Sequence, residues 1–208
     1  MTGSVDARIV SVKGSTVVLD GHDIDTDRII PARFLKYLTF DDLGNHVFED
    51  DRQQDRARGV THPFDDQARS EAAILLSAKN FGCGSSREHA AQALYRWGVR
   101  AVIGESFGEI FRGNCGTIGL PCLTMSSGDA EAARAIGAAD SAAIGEVDLM
   151  KGVFRISGRE FNVDISHSLR DAFVNGTWDT LTELVSTSDG VAAVAARLPY
   201  LNGFLPTT

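Results

Sequence analysis

The sequence predicts an α/β fold built round a β-α-β core, on three observations. Ala72 to Leu76 is an apolar run of the length and composition of a buried strand. Helical spacing then places Ala90, Ala91, Leu94 and Trp97 on one side of a helix from about Ser86 to Trp97, with Gly98 as its stop. Val99 to Ile103 supplies a second apolar strand, and two strands joined by a helix are parallel.

Between the first strand and the helix lies NFGCGSSREHA, Asn80 to Ala90. Ser85 stands where an N-cap belongs, and Glu88 falls at the third helical place of a capping box. Gly82 and Gly84 let the backbone turn sharply and approach a ligand closely. As a cap alone, Ser85 is worth about 1 kcal/mol and needs no chemistry. Two hydroxyls and a guanidinium at the electropositive end of a helix, after a strand end, also make a site for a carboxylate or phosphate.

The remaining elements follow in order. Arg8–Val12 and Thr16–Leu19 read as a hairpin round Lys13-Gly14-Ser15. Asp20 to Asp27, DGHDIDTD, carries four carboxylates but is no calcium loop: Arg28 stands where that loop needs glycine, and Phe34 where it needs the closing Glu. A solvated turn is the plain alternative. Pro31 to Leu38 reads as a turn into a short helix, in which Arg33 offers a fork suited to a carboxylate. Glu49 to Ser70 is almost wholly polar and is expected to be a long exposed loop, with His62 structural. Ser106–Arg112 is expected to form a short helix burying Phe107, Ile110 and Phe111, followed by a glycine-rich turn at Asn114–Gly119 and a strand at Leu120–Leu123. Asp129–Ala143 reads as a surface helix. Val147–Leu149, Val153–Ile156 and Phe161–Ile165 read as strands, and Leu169–Val174 as a helix stopped at Asn175-Gly176. Trp178–Val185 and Val191–Leu198 complete a helical tail ending at Pro199, so residues 1–208 are expected to form a single domain.

Composition narrows the function. The formal charge of −8 argues against a binder that works by neutralising phosphates, and no run reaches membrane-spanning length. MTGSVDARIV lacks the basic start and apolar core of a secretory signal, and three irregularly spaced cysteines fit reduced thiols, so a cytoplasmic protein is expected. Arg87 occupies the third glycine place of a dinucleotide fingerprint, and Glu88 the second glycine place of a serine-hydrolase elbow. His89, one turn along the helix from Ser85, is badly placed to serve its hydroxyl. Cys83, Cys115 and Cys122 contain no closely spaced pair of the kind that holds an iron–sulfur cluster, so no metal site is expected in this chain.

GSSREHA after a strand resembles the hydroxyl-and-arginine loop of the swivelling β/β/α domain of the aconitase superfamily. With Asp25-Thr26-Asp27-Arg28-Ile29-Ile30-Pro31 upstream and Ser106-Phe107-Gly108-Glu109-Ile110-Phe111 downstream, the chain is similar to the small-subunit family of isopropylmalate dehydratases (isopropylmalate isomerases) over most of its length. The resemblance implies a hydro-lyase of leucine biosynthesis, active only with a large subunit that carries a [4Fe–4S] cluster, with no cofactor bound by this chain. It implies that Ser85 acts as general base through its alkoxide, that Ser86 and Arg87 hold substrate carboxylate, that Asp27 lies near the active site, and that the region round Arg33 lines the pocket for the substrate side chain. Related small subunits serve methylmalate and homoaconitate. A non-catalytic domain whose helix end holds an anionic metabolite is the alternative from another class.

Overall fold

In a computed structural model, the chain is described over residues 7–37, 39–84, 88–179 and 198. Residues through Trp178 form one compact unit, and Asp179–Thr208 a second. The expected helical tail lies outside the described residues, apart from Trp178, Asp179 and Leu198.

A curled seven-stranded sheet organises the first unit. In chain order its strands are β1 (Ser11–Val18), β2 (Ile74–Leu76), β3 (Ala101–Gly104), β4 (Cys122–Thr124), β5 (Ile144–Asp148), β6 (Val153–Ile156) and β7 (Arg159–Asn162). They lie in the order β4-β3-β2-β1-β5-β6-β7. The first four are parallel, whereas β5 pairs with β1, and β6 and β7 with their neighbours, antiparallel. The chain beyond β7 returns to β4 through reciprocal bonds between Thr124 and Asp164, of 2.8 and 2.7 Å.

The hairpin expected at Lys13-Gly14-Ser15 is instead the middle of β1. Gly14 pairs with Gly145 on β5, and a Cβ on Gly14 would stand 2.7 Å from the Ala73 methyl. The glycine thus serves close strand packing and not a turn.

Helices α1 (Thr26–Ile29), α2 (Glu49–Ala57), α3 (Glu88–Trp97), α4 (Glu109–Thr117), α5 (Ser127–Ala139) and α6 (His167–Asn175) complete the unit. Both faces of the parallel strands are buried, which is why they read as continuous apolar runs. Val17, Leu75 and Val102 join one core cluster with Ala90, Ala91, Leu94 and Phe111 from α3 and α4. Val18, Leu76, Ile103 and Leu123 join the other with Ala130 and Ala133 of α5 and with Phe154 and Phe161. Gly98 (φ +132°) follows α3, accepting the stop that its position predicts, and Gly176 (φ +77°) caps α6.

Two further expectations are corrected. The polar stretch from Glu49 opens with a nine-residue helix, α2, that buries none of its residues, and only then becomes loop and 3-10 turn. Its solvated faces are tied down by ion pairs, a source of order invisible to hydrophobic periodicity. The helix expected at Ser106–Arg112 begins three residues later and continues through the supposed turn to Thr117. Phe111 is buried as expected, Phe107 is half-buried, and Ile110 is exposed.

Candidate active site

Three loops meet beyond the C-terminal ends of β1, β2 and β3. The loop after β2 runs between the other two and bonds to both. On one side, Asp23 N–H donates to Lys79 O (3.0 Å), Gly82 N–H to Ile24 O (2.7 Å) and Thr26 N–H to Cys83 O (2.9 Å). Asn80 Nδ2 donates to Asp23 Oδ1 at 2.7 Å, and both residues adopt positive φ, 59° and 55°. On the other side, Asn80 N–H donates to Ser106 Oγ (2.9 Å), Phe81 N–H to Ser106 O (3.1 Å) and Gly108 N–H to Phe81 O (2.9 Å). Ser106 lies ahead of α4, and its hydroxyl and carbonyl are both engaged by the neighbouring loop.

Glycine is required where the loops touch. Gly82 has φ +72°, and a Cβ there would overlap the Phe111 ring. A Cβ on Gly108 would overlap the Gly82 carbonyl. Gly84, at φ +96°, turns the chain toward the start of α3. Ser85, Ser86 and Arg87 occupy the three positions between Gly84 and α3 and lie outside the described residues. The expected Ser85 cap lies there as well. Glu88, the other half of the capping box, accepts from Gln92 Nε2 at 3.1 Å.

Asp27 is exposed in the first turn of α1, whose start is capped by Asp25 accepting from Arg28 N–H at 2.8 Å. Arg33 sits in a 3-10 turn, Ala32–Phe34, with its guanidinium 4.7 Å above the Phe34 ring and Nη2 bonded to Asp50 Oδ1 at 2.6 Å. Arg28 donates from Nε (3.0 Å) and Nη2 (2.8 Å) to Asp51. Asp50 and Asp51 belong to α2 and went unnoticed in the sequence; the signal was the acidic run Glu49-Asp50-Asp51, which suits a helix N-terminus. Beside them a polar cleft of about 410 Å³ opens between Leu19 and Asp20 at the end of β1, Arg28, and Asp51, Gln54 and Asp55 of α2.

The three cysteines are free thiols. Cys83 lies in the loop after β2, its thiol pushed up by burial and by Asp25 and Asp23. Cys115 and Cys122 are buried in the core, and the Cys115 thiol is held well above its ordinary value by burial and by Cys122. Among the described residues, no group of three or more His, Cys, Asp and Glu side chains is placed to hold a metal ion. His89 packs edge-on against Phe40, with ring centroids 5.2 Å apart. His62 is buried against Phe48 and Phe64, in agreement with a structural role. Among the described residues, no helix is long and apolar enough to cross a membrane.

Comparison with known proteins covers the same ground. The aconitase C-terminal domain family matches residues 6–128, the part that contains all three loops. The chain is 47% identical over 197 residues to a 3-isopropylmalate dehydratase small subunit from Synechocystis, covering 94% of this chain and 96% of that one. It is 42% identical over 190 residues to the protein of that name from Thermus thermophilus, covering 91% and 94%. The fold matches a crystal structure of 3-isopropylmalate dehydratase from Methanocaldococcus jannaschii with a TM-score of 0.64 and 25% identity, over 86% of this chain and 99% of that chain. By sequence and fold together, the chain belongs to the aconitase C-terminal domain family and, within it, to the small subunits of 3-isopropylmalate dehydratase.

Proposed function

We propose that this chain is the small subunit of a cytoplasmic hydro-lyase that interconverts 2-isopropylmalate and 3-isopropylmalate in leucine biosynthesis. The supporting observation is the junction of the three loops: the segments that carry the family motifs are far apart in sequence yet bonded to one another at the strand ends. Identity of 47% over 94% of the chain supports the same substrate.

The reaction removes a proton from one carbon and hydroxide from its neighbour, leaving an unsaturated diacid. Water then adds in the opposite sense. Ser85 is the base: as an alkoxide it takes the proton from carbon, and as an alcohol it gives the proton back. A free serine hydroxyl is a poor base. The N-terminus of the ten-residue helix α3 and the Arg87 cation both favour its anion in a site closed to water. Ser86 and Arg87 hold a substrate carboxylate, Asp27 stands at the edge of the site, and the segment from Arg33 to Leu38 meets the substrate side chain.

The large subunit brings a [4Fe–4S] cluster, which supplies the Lewis acid for the departing hydroxyl. This chain closes over the bound substrate and contributes the proton-handling groups.

The test is Ser85→Ala in the reconstituted two-chain enzyme. Turnover should fall by about 10²-fold or more while the complex still forms. A complex that assembles and turns over at the wild-type rate would remove Ser85 from the chemistry. An anion-binding domain without a catalytic role would predict no turnover from any pairing with the large subunit.

A further inference from the structure

We infer that the first turn of α2 is a clamp that positions the segment from Arg28 to Tyr37, and that Glu49, Asp50 and Asp51 thereby set how well the site accepts its substrate. The effect on substrate rests on the function proposed above; the clamp itself does not.

Of three consecutive carboxylates, two reach that segment directly and the third reaches it through His46. Asp51 takes Nε and Nη2 of Arg28, the neighbour of Asp27 on α1. Asp50 takes Nη2 of Arg33 at 2.6 Å. Glu49 pairs with His46 Nδ1 at 2.6 Å. His46 in turn stacks on Phe34, with ring centroids 4.1 Å apart and planes inclined by 19°. Arg33 lies over the same ring, so the contacts close a circuit: Glu49, His46, Phe34, Arg33, Asp50. Tyr37 joins it edge-on to Phe34 and His46, at 5.7 and 5.9 Å. The backbone adds an anchor, since Phe48 N–H donates to Ile29 O at 2.9 Å immediately before α2.

Burial of Ile29, Ile30 and Phe34 anchors the segment to the core, but α2 buries no residue of its own, so its hold on the segment is made by charge. Arg33 and Asp50 are about half exposed, at 46% and 47%, and exposed pairs stabilise a fold only weakly. Removing them should therefore spare the fold while loosening the segment. A substrate-binding group displaced by a fraction of an ångström loses binding without moving the reacting atoms, which raises KM and leaves kcat. Glu49, Asp50 and Asp51 are positioning residues, acting through Arg28, Arg33 and Phe34.

The test uses Asp50→Asn, Asp51→Asn and the double variant, with Asp50→Glu as rescue and Arg58→Ala as a control that removes an ion pair from the far end of α2. In the full chain, hydrogen exchange is read at the amides of Phe34, Leu35 and Tyr37, which bond within their own turn. The double variant should exchange on the order of tenfold faster there at an unchanged melting temperature. In the two-chain enzyme, KM for the diacid should rise on the order of tenfold with kcat within about twofold, and the preference between isopropyl and methyl substrates should shift. Asp50→Glu should recover most of both effects, and Arg58→Ala should show neither. Unchanged exchange in the double variant overturns the clamp whatever the kinetics. Faster exchange with unaltered KM and preference overturns its link to substrate. A wild-type complex without turnover would count against the proposed function, while exchange still decides the clamp.

Discussion

Helices α2 and α3 both pack against α1, but different forces hold them. Helix α3 turns Ala90, Ala91, Ala93 and Leu94 into the core beneath the sheet. Helix α2 buries no residue fully and is tied by charge: Arg52 and Arg56 share Asp65, Asp50 and Asp51 hold Arg33 and Arg28, and Glu49 meets His46. One support is apolar, nondirectional and indifferent to ionic conditions. The other is directional and responds to salt and pH. The loop that carries Ser85, Ser86 and Arg87 leads into the first. The segment proposed to read the substrate side chain leans on the second.

The comparison is broken most severely at Leu94, which is fully buried. Leu94→Ala should cost about 2–5 kcal/mol in urea unfolding, through lost transfer energy and the cavity left behind. That cost should change little between low salt and 1 M salt. A loss that vanished with salt would mean that α3 is not held by burial.

Arg52→Ala is the matching test on α2. Its side chain is 16% exposed and donates from Nε to Asp65 at 2.8 Å and from Nη1 to the carbonyls of Asn45 (2.8 Å) and Val47 (3.2 Å). Losing charged hydrogen bonds of this kind should cost about 1.5–3 kcal/mol. Burial pushes the Asp65 carboxyl up, but the bonds from Arg52 and Arg56 outweigh it and the pKa is lowered. The sign follows: this contribution is complete above the unfolded carboxyl's ordinary value and is lost as pH falls through the lower folded one. The gap between wild type and Arg52→Ala should thus be constant above about pH 5 and narrow below about pH 4. A gap independent of acid would show that Asp65 is not the partner that matters.

The same contrast explains what could be read from sequence. Helix α3 was legible because Ala90, Ala91 and Leu94 recur at helical spacing and Gly98 ends it. Helix α2 was not, because its order comes from partners such as Asp65, Arg28 and Arg33, some distant in the chain. Gly14 misled for a related reason: glycine beside serine favours a turn locally, yet here it pairs with Gly145 in the sheet and Ala73 occupies the space its missing side chain leaves. The three loop motifs were visible one by one. Their mutual bonding was not, since Asn80 meets Asp23 across 57 residues and Ser106 across 26. The loop hydrogen bonds are mostly made by backbone groups, which carry no residue signature.

The smallest effect should come from His62, which lies behind α2. Burial holds its pKa below the ordinary histidine value, against the opposing pull of Asp55, Asp51 and Asp65. Its Nδ1 accepts from Phe64 N–H at 3.2 Å, so the neutral ring carries its proton on Nε2, and protonation of Nδ1 would break that bond. A histidine whose folded pKa is depressed gives its full stabilisation above the unfolded value and loses it as pH falls toward the folded one. Stability should therefore decline as pH drops below about 6.5, even before the carboxylates titrate. His62→Asn keeps an acceptor near the Nδ1 position but cannot titrate. Urea unfolding of both proteins at pH 7.5 and 5.5 isolates the effect, because the other histidines are common to the pair. Wild type should lose more stability between those values than His62→Asn; equal losses would mean that the ring is protonated without cost, and that the ground beneath α2 is wetter than its burial implies.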